Sequence, residues 1–190
     1  MKKLIFALLI LLSVSAKAQD RSKFLYAGFS DKSVSIYPSL KVFGNSFDPS
    51  ITFGFGADYK QKGNFILFQT YQLTGYKTLF VGNGVTLTSS FGYRYGNTSG
   101  FFGEAMAGLG ATAFLPSRET FAQNDNGDYV SVNPLIVRAA LPFDLLLGYR
   151  FNKLVFYLQY RYMIIGPYTD ILFVPVLGVT QTGIGVRYSL

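Results

Sequence analysis

The sequence predicts an all-β chain: an eight-stranded antiparallel up-and-down transmembrane β-barrel behind a cleaved signal peptide. Three observations predict it. The N-terminus has the layout of an export signal. Apolar residues recur with a period of two along most of the chain that follows. Tight and long connections alternate between the segments that carry this period.

Composition narrows the field before any segment is assigned. The 190 residues suit one domain, with 19 Phe, 14 Tyr and 20 Gly but no Trp, Cys or His. Hydrophobic residues make up 49% and charged residues 14%. Beyond the N-terminus, no uninterrupted apolar run reaches the ~20 residues of a spanning helix. Two classes fit such a chain: a soluble all-β protein with a large core, or a transmembrane barrel whose signal per strand is weak.

In the export signal, Lys2 and Lys3 form the positive n-region, Leu4 to Val14 the apolar core, and Ala16-Lys17-Ala18 the cleavage site. The domains are therefore a signal peptide, 1–18, and a barrel, 19–190. No Cys follows to take a lipid, and no thiols exist for disulfides. The net charge of +7 includes Lys2, Lys3 and Lys17; without them the excess is a mild four. No basic cluster with interleaved aromatics suggests nucleic acid.

Alternation is clear at Ile51, Phe53, Phe55 and Ala57 against Thr52, Gly54, Gly56 and Asp58. It is longest from Leu135 to Phe151 and closes the chain at Ile184, Val186, Tyr188 and Leu190 against Gly185, Arg187 and Ser189. The predicted strands are Ser33–Phe43, Ser50–Lys60, Asn64–Gly75, Gly84–Tyr95, Gly100–Phe114, Leu135–Arg150, Lys153–Ile164 and Gly178–Leu190. Pro38 suggests a bulge in the first. In the third, Phe65, Leu67 and Tyr71 compete with Ile66 and Phe68 for the apolar face. Gln61–Gly63, Gly96–Ser99 and Phe151–Asn152 read as tight turns. Gly44–Pro49, Tyr76–Asn83, Leu115–Pro134 and Ile165–Leu177 read as longer loops. An even strand number places both termini on the periplasmic side.

The weaker face decides which side is inside. It holds Asp58, Arg94, Glu104, Arg138, Asp144, Arg150, Arg161 and Arg187, isolated among Thr, Ser, Gln and Gly. A soluble surface would carry denser charge, mostly Lys and Glu. Isolated Arg with a few acids fits a lumen network in which each charge is paired. The apolar face carries Tyr59, Tyr93, Tyr95, Tyr149, Tyr160, Tyr162 and Tyr188, read as an interfacial girdle.

The ending Ile184-Gly-Val186-Arg-Tyr188-Ser-Leu190 resembles the C-terminal assembly signal of small bacterial outer-membrane β-barrels, although that family usually ends on Phe. Phe91-Gly-Tyr-Arg-Tyr95 and Leu147-Gly-Tyr-Arg-Phe151 are similar to strand ends in the same family. The resemblance covers the mature chain as architecture. It implies residence in the outer membrane, contact with its lipid, and the barrel-assembly machinery as a partner. Adhesins, anchors, small pores and lipid-modifying enzymes share this architecture, so it does not fix function.

Chemistry is narrowed by what the chain lacks. Without His, Ser-His nucleophilic catalysis is impossible, and the enzymes of the resembling family rely on a His. Cys nucleophiles and Cys/His zinc sites are likewise excluded. Asp58, Glu104 and Asp144 are read as neutralising lumen Arg residues rather than as a catalytic pair. Gly108-Leu-Gly110-Ala-Thr-Ala113 fits a loose dinucleotide fingerprint, but no helix is predicted after it. Asn124-Asp-Asn-Gly-Asp128 resembles part of a calcium loop yet lacks the terminal Glu, and reads as a turn. The expectation is a non-enzymatic barrel without cofactor, contacting a surface or envelope partner through the loop 115–134, where Phe121 and Tyr129 lie. The alternatives are a narrow anion-favouring pore lined by Arg94, Arg138, Arg150, Arg161 and Arg187, or a soluble exported barrel holding an apolar ligand.

Overall fold

Period-two segments rich in aromatic and β-branched residues, punctuated by Gly and Asn, satisfy their backbone groups by pairing with neighbours. In a single chain that must leave no open edge, the result is a closed sheet. The computed structural model describes residues 22–35, 47–78, 82–97, 99–116, 120–123, 127–132, 134–166 and 177–190. Its strands are β1 (Lys23–Ser35), β2 (Pro49–Lys62), β3 (Phe65–Thr78), β4 (Gly82–Gly96), β5 (Phe101–Leu115), β6 (Thr120–Gln123), β7 (Tyr129–Val132), β8 (Ile136–Phe151), β9 (Leu154–Gly166) and β10 (Leu177–Ser189). Eight of them form the barrel in the order β1-β10-β9-β8-β5-β4-β3-β2, all neighbours antiparallel; β6 and β7 form a separate hairpin.

The register fixes the barrel's girth. From Val155 the pairings run through Arg187, Tyr26, Gly54, Gln72, Thr88, Gly110 and Ala140, and return to β9 at Ile165, ten residues further on. For eight strands that stagger gives a tilt of roughly 40° and an interior that side chains can fill.

Alternation then sorts the side chains. Phe53, Leu147 and Leu158 point outward and are 60%, 67% and 63% exposed. Thr52, Thr74, Thr86, Thr88, Thr112 and Gln72 are buried in the lumen. A continuous apolar exterior is the inverse of a soluble barrel's surface, and the interior mixes polar side chains with two buried apolar clusters that fill it. At the tight-turn end the outward aromatics pair: Phe65 with Tyr95, and Phe101 with Tyr149, both at 4.9 Å between ring centroids. Rings at a strand end form the girdle that suits a headgroup zone.

Four expectations are corrected. The first strand is Lys23–Ser35, beginning ten residues before the predicted Ser33–Phe43, of which 36–43 lie outside the described residues. Its alternation was masked because Phe24 and Tyr26 point inward while Leu25 and Phe29 point outward, so both faces read as apolar. Pro38 lies outside the described residues, as does the signal peptide 1–18. The connection at Tyr76–Asn83 is short, since β3 runs to Thr78 and β4 starts at Gly82, where the Thr78 hydroxyl bridges to Gly82. The predicted long loop 115–134 contains a β6–β7 hairpin that the sequence reading did not assign. In β2 a bulge between Asp58 and Lys60 shifts the register, leaving Asp58 directed inward and Lys60 exposed. The extra residue, Tyr59, donates its hydroxyl hydrogen to Gln69 Oε1.

Candidate functional site

The feature with the greatest chemical content is the lower lumen, at the tight-turn end. Glycines make room there for rings. A Cβ on Gly56 would stand 2.3 Å from the Phe24 ring, and one on Gly54 2.4 Å from Tyr26. One on Gly185 would stand 2.2 Å from Tyr157 and one on Gly148 2.5 Å from Phe102. Each ring lies flat against the backbone of a facing strand, which only glycine permits. Phe24, Tyr26, Phe68, Phe102, Met106, Leu146, Val155 and Tyr157 thus form one buried cluster across the lumen.

Charges are set into that cluster. Arg94 on β4 and Glu104 on β5 are direct cross-strand partners, and Arg94 Nε donates to Glu104 Oε1. Arg94 Nη1 also reaches both oxygens of Asp58 at 3.2 Å. Arg187, on β10, crosses the lumen to Glu104 with bonds of 2.5 and 2.7 Å. Glu104 and Arg187 are 4% and 3% exposed. The Arg187 guanidinium lies 4.4 Å from the Phe24 ring centroid and that of Arg94 4.8 Å from Phe68. A carboxylate held between two guanidiniums, each facing an aromatic ring, is charge-compensated without water.

Higher up, Arg161 Nε donates to Asp144 Oδ1 at 2.5 Å, and Gln159 donates to the same oxygen at 2.8 Å. The structure therefore brings Asp58, Arg94, Glu104 and Arg187 together and joins Asp144 to Arg161 as a separate pair. Arg138 stands apart, half-buried near the loop end, with its Nε unpartnered among the described residues. Arg150 is exposed at the lower mouth. Sequence reasoning missed the plug's aromatics: Phe24, Tyr26, Phe68, Phe102 and Tyr157. The available signal was adjacent apolar pairs on opposite faces, as in Phe101-Phe102 and Phe156-Tyr157. It also missed Lys32, which is buried near the loop end with its ammonium 2.9 Å from the Tyr76 ring centroid. Among the described residues no group of His, Cys, Asp and Glu could hold a metal ion.

The chain matches no family model and no curated protein sequence. Solved structures do match. Neisserial surface protein A aligns at a TM-score of 0.55 and 15% identity, over 88% of this chain and 97% of that one. The fold is that of the small eight-stranded outer-membrane β-barrels. Ail, the attachment invasion locus protein of Yersinia pestis, aligns at 0.52 and 10% identity, over 90% of this chain and 100% of that one. The outer membrane enzyme PagL aligns at 0.51 and 11%, over 87% and 98%. At such identities the shared property is the fold, hosted by a surface protein, an attachment protein and an enzyme alike.

Proposed function

We propose that the chain is a non-enzymatic integral outer-membrane protein that works through its surface loops, on a barrel whose lumen is shut. The observation that carries this is the ring-and-charge plug across the lower lumen. It supports a barrel used as an anchor more than as a conduit. Three of the five arginines that would favour anions in a pore, Arg94, Arg161 and Arg187, are held in ion pairs. The lack of His and Cys supports the non-enzymatic reading. The β6–β7 hairpin, with Tyr129 73% exposed, is the element built for contact beyond the membrane.

Replacing residues 117–133 with a short Gly/Ser linker tests the proposal. Outer-membrane yield and heat-modifiable gel mobility of the barrel should be unchanged. Surface binding or envelope integrity measured against the wild type should be lost. A variant with every envelope phenotype intact would sink the loop's role.

A further inference from the structure

The tight-turn end holds a pocket that the plug does not account for. It is a cavity of about 210 Å³ between the β2–β3 turn, the β4–β5 turn and the end of β8. Arg94, Arg150, Asn64, Asn97 and Gln61 line it, and no acidic side chain does. Arg94 is 4% exposed, with Nε and Nη1 committed to Glu104 and Asp58 while Nη2 is buried without a partner. Arg94 therefore closes the inner wall of the pocket, and its covered Nη2 has no open surface from which to donate into it. Arg150 makes no ion pair among the described residues.

The surroundings have the same sign. Lys23, Lys60, Lys62, Arg150 and Lys153 are all exposed at this end, and no exposed acidic side chain is found there among the described residues. Asp58 and Glu104, the acids nearest, are engaged by Arg94 and Arg187. The rim therefore attracts anions, and the pocket offers them the exposed guanidinium of Arg150.

We infer that this pocket is an oxyanion site that takes a phosphate group. Arg150 supplies the paired donors of a fork, and the side-chain amides of Asn64 and Asn97 complete the shell. Two sources share this chemistry: the headgroup of an anionic phospholipid in the adjoining leaflet, or a soluble phosphate. The site stands apart from the loop-based reading and does not depend on it.

The test uses the full-length chain refolded in a neutral detergent and titrated with inorganic phosphate, following the amide resonances of Asn64, Asn97 and Gly100. Saturable shifts are expected. Arg150→Gln should weaken binding at least about tenfold while leaving heat-modifiable mobility unchanged, because Arg150 is exposed and unpaired. Native mass spectrometry from lipid nanodiscs then separates the sources. Phosphatidylglycerol retained by wild type and lost in Arg150→Gln assigns the site to a headgroup. Equal retention alongside Arg150-dependent phosphate shifts assigns it to a soluble phosphate. An absence of saturable shifts, or identical shifts in the variant, overturns the inference.

Discussion

At the scale of single residues, Glu104 is the side chain on which most depends. Two buried guanidiniums share its carboxylate, and removing that charge leaves Arg187 without its ion-pair partner and Arg94 with Asp58 alone. Breaking a buried ion pair from one side costs about 3–5 kcal/mol. Glu104→Gln should accordingly lower the denaturant midpoint of the barrel in detergent or lipid, read by heat-modifiable mobility. An unchanged midpoint would mean that the charges are individually solvated and the plug is not dry. Gly56 is the second test. A methyl group there would meet the Phe24 ring at 2.3 Å and the Gln69 carbonyl at 2.7 Å, so one of the two strands must shift. Gly56→Ala should destabilise by about 1–3 kcal/mol through overpacking. Gly75→Ala, where a Cβ meets nothing within 4 Å, is the control expected to change little. The sequence marked eight charged residues of the weaker face, but neither the buried Lys32 nor how the charges group. Arg94 and Glu104 are ten positions apart, and Arg187 is eighty-three from Glu104. The β4–β5 hairpin pairs Arg94 with Glu104, and only the closure of the sheet brings Arg187 to them.

At the scale of elements, legibility followed the clarity of alternation. Strands β2, β4 and β10 carry one mainly apolar and one mainly polar face, β8 and β9 keep the period although apolar residues also point inward, and the predicted positions of all five agree with the structure to within a few residues. Strand β1 was displaced in the prediction because aromatic side chains occupy both its faces. In β3, Phe68 turns inward and is fully buried while Phe65 turns outward, which settles a competition the period alone leaves open. Turn chemistry was legible where a residue announces it. Asn152, in the β8–β9 turn, has φ 56 and is the one described non-glycine residue with a positive φ. Asn tolerates the left-handed region better than Ala does. Asn152→Ala should cost about 1 kcal/mol and slow refolding into liposomes, whereas Asn152→Gly should match wild type. Equal behaviour of the Ala and Gly variants would remove the turn's backbone from the account.

At the scale of the whole molecule, the barrel divides along its axis. The tight-turn end is plugged, aromatic and cationic; above it the lumen holds Thr, Ser and Gln beside a buried cluster of Ala140, Met163, Ile165, Leu177 and Val179; beyond the other end stands the β6–β7 hairpin. The inversion of faces was readable from the sparse charge on the weaker face, and the number of strands from the spacing of the turns. The closure of the lumen was not, because inward aromatics look like core residues of any fold until register places them on one level. That closure is the central claim, and planar-bilayer recording addresses it most directly. Refolded protein whose insertion is verified by heat-modifiable mobility should give no discrete conductance steps. Anion-selective steps that vanish in Arg187→Ala would contradict the plug and restore the pore.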